Sequence, residues 1–141
     1  METIDIKFIS PKNILIILPL LKELNTHTPD NLLKERLFEM TLQHYKCIGM
    51  FLNNELIGIA GLWFLTRHYC GKTIEPDHVV ISKKYRNKGL GKKLFEWIYN
   101  YAKSINYEAT ELNTYIENTK SHQFYENEGY KKLGFHYLKK F

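Results

Sequence analysis

Cysteine is scarce in this chain of 141 residues: Cys47 and Cys70 are the only two. Two thiols without C-x-x-C spacing make no disulfide framework, so the sequence predicts free thiols in a reducing compartment. The six histidines add no zinc-ligand spacing, and no metal is expected. Long apolar runs are missing too. Ile14 to Leu21 is apolar and follows Lys7 and Lys12, but it falls well short of the roughly 20 residues a membrane helix needs. No small-residue cleavage site follows it between Leu24 and Thr28, which argues against a signal peptide. A cytoplasmic protein with no membrane partner is the expectation. No linker, repeat or low-complexity tract divides the chain, so residues 1–141 are expected to form one domain.

Hydrophobic residues make up 44% and charged residues 25%, as in ordinary globular proteins, which excludes a disordered chain. The net charge of +5 favours anionic partners. Lys83, Lys84, Arg86, Lys88, Lys92 and Lys93 crowd into one stretch, and Lys131, Lys132, Lys139 and Lys140 into another. The first group interleaves with glycines, and no RRM, KH or zinc-finger pattern is present, so nucleic acid is not the expected partner.

Periodicity gives a sequence of elements. Thr3 to Ile9 alternates as a strand. Ser10-Pro11 reads as a helix entry for the stripe Ile14, Ile17, Leu18, Leu21 and Leu24, with Pro19 as a kink or the true start. Thr28-Pro29-Asp30 opens a second helix with Leu33, Leu37 and Met40 on its buried side. Strands are expected at Cys47 to Leu52, Leu56 to Phe64 and Thr73 to Ile81, with Asn53-Asn54 as a two-residue hairpin turn. A helix follows from Leu90 to Ile105, with Leu94, Trp97, Ile98 and Tyr101 on one face. Then come a strand at Ala109 to Tyr115, a helix at Asn118 to Glu128 closed by Gly129, and a last strand at Tyr130 to Leu138. The order β-α-α-β-β-β-α-β-α-β predicts an α/β fold: a mixed, mostly antiparallel sheet flanked by helices.

The chemistry concentrates where the strand ending Val79-Val80-Ile81 runs through Arg86-Asn87-Lys88-Gly89-Leu90-Gly91-Lys92 into the best helix. The first turn of a helix offers unpaired N–H groups and partial positive charge. Glycines let a phosphate approach the backbone, so the loop suits a pyrophosphate. It is neither a Walker-type loop nor a dinucleotide fingerprint, since the glycine spacing fits neither pattern. Glycines that merely relieve turn strain are the bland reading of the same loop.

Arg86-Asn87-Lys88-Gly89-Leu90-Gly91 resembles the acyl-CoA loop of the GNAT superfamily of N-acetyltransferases: glutamine or arginine, two free positions, glycine, one free position, then glycine or alanine. Asn118, Phe124-Tyr125-Glu126 and Gly129-Tyr130 look like that family's downstream signature. The element order matches over nearly the whole chain, although the first 70 residues match in pattern only.

The resemblance implies a GNAT-like fold and acetyl-CoA as cosubstrate. The amine acceptor, a small molecule or a protein, would attack the thioester directly in a ternary complex. The backbone of Val80 and Ile81 would pair with the pantetheine arm, one N–H polarising the thioester carbonyl. The amides of Asn87, Lys88, Gly89, Leu90, Gly91 and Lys92 would hold the pyrophosphate, beside Arg86. Asn118 would contact pantetheine or cap its helix. Tyr125 would protonate the departing thiolate; its bland reading is a core tyrosine beside Phe124.

Glu75, Asp77 and His78 are candidates to receive the amine's proton, with Asp77 at the family's common carboxylate position. In a regular strand Glu75 and Asp77 share a face and His78 opposes them, although a bulge would change this. His122 reads as a surface helix residue, and Trp63, His68, Tyr69, Tyr115 and His136 as packing or as the lining of an acceptor pocket. A non-catalytic acyl-CoA sensor is the alternative from another class. The acceptor's identity, the acyl length and the oligomeric state, a homodimer included, stay open.

Overall fold

The alternating N-terminus does form a strand in the computed structural model, which describes residues 3–141: β1 (Ile4–Ile9) lies antiparallel to β2 (Tyr45–Leu52), with Ile6 opposite Met50. β2 turns through Asn53 and Asn54 into β3 (Glu55–Arg67). Both asparagines have positive φ, 48° and 70°, the backbone that a two-residue hairpin with right-handed strand twist requires. β3 pairs antiparallel with β4 (Gly71–Ile81), and β5 (Ala109–Thr110) pairs with β4 in parallel. The sheet order is β1-β2-β3-β4-β5.

Apolar side chains on the two faces of this sheet make two cores. On one face α3 (Leu90–Ser104) buries Leu90, Leu94, Phe95 and Ile98 against Ile48, Met50, Leu62 and Ile74. Each such side chain contributes about 1.5–3 kcal/mol when fully buried. On the other face Ile14, Leu21, Leu33 and Leu37 pack on Tyr45, Cys47, Ile59 and Val80. These come from a 3₁₀ turn (Pro11–Ile17), α1 (Leu18–Leu24) and α2 (Asp30–Thr41). Both cysteines are free. No helix among the described residues is long and apolar enough to cross a membrane.

Pro19 marks the true start, one of the two expectations: it sits in the first turn of α1, and the chain before it is 3₁₀ rather than α-helical. Other local expectations are corrected. The cap of α2 is Pro29, whose carbonyl accepts from Leu33 N–H at 3.0 Å, while Asn25 Oδ1 takes the Thr28 N–H at 3.2 Å. The strand expected from Ala109 to Tyr115 keeps ladder pairing only at Ala109 and Thr110, because after Glu111 N–H reaches Ile74 O the chain leaves β4. The strand expected from Tyr130 to Leu138 does not form within the single chain. Tyr130 is anchored against Phe95, Tyr99 and Tyr125, and among the described residues no strand pairs with those beyond it. The last helix, α4 (Thr119–Asn127), forms where the spacing predicts it, with Asn118 Oδ1 capping Ser121 N–H at 3.2 Å and Gly129 at φ 97° closing it.

Candidate active site

The short pairing of β5 leaves β4 with a bare edge from Glu75 to Ile81. Antiparallel alternation decides which groups it offers. Ser82 N–H donates to Ile57 O at 2.7 Å, toward β3. Two residues back, Val80 faces β3 in the same way, so Ile81 turns its N–H and C=O to the open edge. Arg86 confirms the direction, since its Nε donates to Ile81 O from that side at 2.9 Å.

The loop beyond this edge is built from left-handed positions. Asn87 (φ 63°) and Gly89 (φ 74°) set the entry to α3, with Gly89 as the N-cap. The first intrahelical bond is Lys93 N–H to Gly89 O, and no side chain caps the helix. The amides of Leu90, Gly91 and Lys92 therefore have no acceptor among the described residues. A Cβ on Gly91 would find its nearest neighbour, Phe124, at 3.9 Å, and one on Gly89 would find nothing within 4 Å. This is open space at a helix N-terminus, the geometry that takes a phosphate.

Two side chains of the loop are already engaged. Arg86 forms an ion pair with Glu23 of α1 at 3.2 Å, and Glu23 also accepts the Lys83 N–H. Lys92 Nζ bonds Glu128 at 3.1 Å, and Tyr99 hydroxyl donates to the same carboxylate at 3.0 Å. Arg86 thus ties the end of β4 to α1, and Lys92 ties α3 to the end of α4. Each charge is paired with a carboxylate while its side chain stays partly exposed. Glu23 carries no motif that marks it in the sequence.

The carboxylates separate into two settings. Glu75 accepts from Arg67 at 3.3 Å and Asn113 at 3.5 Å, while Arg67 also pairs with Glu111. Burial raises the Glu75 pKa, the Glu111 charge adds to the rise, and Arg67 opposes it. Asp77 instead lines an open cavity of about 640 Å³ between the sheet and the α1–α2 face. Its Oδ2 accepts from Trp63 Nε1 at 3.0 Å and its Oδ1 from His78 N–H at 2.8 Å.

His78 joins Asp77 in the lining of that cavity, against the expectation for a regular strand. The cause is a bulge: Ile59 pairs with Val80 but Gly61 with Asp77, and His78 takes φ 34°. Two consecutive side chains therefore reach one face. The imidazole lies over Gly61, and its Nε2 bonds the Tyr45 hydroxyl at 2.6 Å. Its Nδ1 is buried without a partner among the described residues. Burial lowers the His78 pKa, opposed by Asp77, and favours the neutral ring. A Cβ on Gly61 would collide with that ring. Gly61→Ala is thus expected to break the Tyr45–His78 bond and lower stability by about 1–3 kcal/mol, measured by urea denaturation; an unchanged midpoint would show that the ring moves freely.

Leu21 and Leu24 of α1, Arg36, Leu37 and Met40 of α2, and Tyr115 and Glu117 are among the other residues that line the cavity. Of the aromatic residues that the sequence singles out, Tyr115 lines it and Trp63 orients Asp77. His122 Nε2 lies 2.9 Å from Tyr115 O and fixes the turn before α4. Tyr125 lies on α4, and its ring meets Phe95 at 5.7 Å and Tyr130 at 5.7 Å. Its hydroxyl makes no hydrogen bond among the described residues. Burial, with Tyr130 adding, pushes its pKa up to about 12, so the phenol stays protonated. Among the described residues no group of His, Cys, Asp and Glu is placed to hold a metal ion.

Comparison with known proteins bears on the family and the fold. The family model described as Acetyltransferase (GNAT) family matches residues 17–130. A ribosomal-protein-alanine N-acetyltransferase from Brucella melitensis biovar Abortus 2308 superposes with a TM-score of 0.82 at 17% identity, over 99% of each chain. An aminoglycoside N-acetyltransferase in complex with CoA superposes at 0.84 and 16% identity, over 99% of this chain and 95% of the other. Glucosamine-6-phosphate N-acetyltransferase from Arabidopsis thaliana superposes at 0.71 and 23% identity, over 99% of each. At these identities the likeness establishes the fold.

Proposed function

This chain belongs to the acetyltransferase (GNAT) family, and we propose that it moves an acetyl group from acetyl-CoA to a primary amine by direct attack in a ternary complex. The observation that carries the proposal is the continuity of two features. The bare β4 edge ends at Ile81, and the unpaired first-turn amides of α3 begin a few residues later. An extended pantetheine arm suits the first, as strand addition. A pyrophosphate suits the second.

In this reading Ile81 N–H bonds the thioester oxygen and stabilises the negative charge that grows there. Val80, whose amide faces β3, serves by packing beneath the arm. The amides from Asn87 to Lys92 hold the pyrophosphate. Arg86 acts mainly by fixing the edge through Ile81 O, and Asn118 acts by capping α4. The amine enters the cavity beside Asp77, whose carboxylate draws the ammonium form and passes its proton toward solvent. Glu75 supports the local field from its Arg67 network. Attack forms the C–N bond, collapse breaks the C–S bond, and Tyr125 gives its proton to the thiolate.

Tyr125→Phe is expected to keep the fold and coenzyme affinity and to lower turnover by about ten- to a hundredfold, at or below the usual general-acid range because a thiolate leaves readily. With its pKa pushed up to about 12 by burial, Tyr125 should add no inflection to the pH–rate profile near neutral pH. The check is single-turnover kinetics with acetyl-CoA and one accepted amine; equal rates would make Tyr125 a packing residue.

A further inference from the structure

Charge pairing sets one side chain of the cavity beside Asp77 apart. The chain has three arginines. Arg67 bridges Glu75 and Glu111, and Arg86 pairs with Glu23. Arg36 has no carboxylate partner among the described residues. Glu39 follows it by three positions on α2, the spacing of a helical ion pair, yet Arg36 lines the cavity instead.

The opposite charge lines the same cavity from the sheet. Asp77 accepts from Trp63 Nε1 and from His78 N–H. Both donors are neutral, so no cation answers the carboxylate. Glu117, in the turn before α4, adds a second carboxylate to the lining. Leu21, Leu24, Leu33, Leu37 and Met40 supply apolar surface. One cavity thus holds an unpaired guanidinium and unpaired carboxylates that do not pair with each other. A ligand bearing only positive charge suits the carboxylates but meets like charge at Arg36. A ligand bearing both signs suits both. The guanidinium fork takes a carboxylate or a phosphate through two parallel N–H bonds.

We propose that the acceptor is a primary amine that carries a carboxylate or phosphate on the same molecule. Its ammonium group lies at Asp77, its anionic group on Arg36, and its hydrocarbon part against the leucines. The proposal rests on the acetyl-transfer reading above and narrows it: polyamines and aminoglycosides, with several ammonium groups and no anion, become poor acceptors.

Matched pairs of amines test this with the full-length protein and acetyl-CoA. Amino acids of graded chain length are compared with their amides, and phosphoethanolamine with ethanolamine, each rate corrected for the fraction of neutral amine. The anionic member of the carboxylate or the phosphate series is expected to have a kcat/KM about ten- to a hundredfold higher, the scale of a charge-assisted hydrogen bond; the series that responds identifies the anion. Arg36→Ala should bring that ratio close to one, mainly through the acceptor KM, and Arg36→Glu should reverse it. Both variants should keep the wild-type melting temperature, since Arg36 is exposed and unpaired. Equal kcat/KM in every pair, a preference that survives Arg36→Ala, or a polyamine acetylated faster than any anionic amine would each overturn the proposal and leave acetyl transfer standing. Failure to acetylate any amine would remove both.

Discussion

Gly91→Asp is expected to weaken coenzyme A and acetyl-CoA binding by about a hundredfold or more, equivalent to roughly 2.7 kcal/mol, and to leave the fold intact. The two halves of this result come from different facts. The nearest atom to a Cβ at this position is 3.9 Å away, so the aspartate side chain fits the protein without ligand. A carboxylate in the first turn of α3 even complements the helix dipole, a gain of about 0.3–1 kcal/mol. The same carboxylate, however, takes the space and the amides that a pyrophosphate needs, and repels it. Gly89→Asp should weaken binding in the same way but is the less clean variant: φ is 74° there, and a side chain adds about 1–2 kcal/mol of backbone strain. Calorimetry with coenzyme A at two salt concentrations is the check, and salt should weaken the wild-type affinity. Normal affinity in both variants would remove the phosphate from this loop.

Asp77→Asn is expected to raise the acceptor KM and lower turnover about ten- to a hundredfold near neutral pH, within the scale of proton-transfer effects. Part of the loss should return as pH rises. The sign follows from the acceptor. At neutral pH the amine is mostly ammonium, which a carboxylate attracts and an amide does not. At alkaline pH a larger fraction is already neutral and needs no help. Asparagine keeps the shape, and its oxygen still accepts from Trp63 or from His78 N–H, so the bulge should survive. Glu75→Gln should have a smaller effect, since Glu75 is held by Arg67 and Asn113 away from the cavity lining. The check is a pH–rate profile of both variants with one accepted amine. Profiles that overlay the wild type from neutral to alkaline pH would pass the role to another group, with His78 first in line.

Much of the fold is legible in the sequence, for reasons that are local. The loop from Arg86 to Gly91, the cap at Asn118 and the turn at Asn53-Asn54 are decided by residues within about five positions of one another, as turns and caps generally are. The α3 face from Leu90 to Ile98 is likewise a matter of spacing. The features that escape a reading of the sequence depend on distant partners. Arg86 reads as a free charge because Glu23, its partner, lies 63 positions away. Lys92 and Glu128 lie 36 apart. Strand alternation sets His78 opposite Asp77, and only the mismatch in register between β3 and β4 brings it round. The segment from Tyr130 to Leu138 shows the reverse: its strand pattern is clear, but it has no ladder partner among the described residues. The cavity beside Asp77 collects residues from α1, α2, β4 and the turn before α4, a set that no motif joins.

The most direct test of acetyl transfer is a turnover measurement. Purified protein is incubated with acetyl-CoA and a panel of amines spanning amino acids, polyamines, aminoglycosides and peptide N-termini, with free thiol and acetylated product both followed. The expected result is amine-dependent release of coenzyme A, matched one for one by N-acetylated product, and lost in Gly91→Asp. Tight acetyl-CoA binding with no acetylated product from any amine on the panel would contradict it and leave the chain an acyl-CoA sensor.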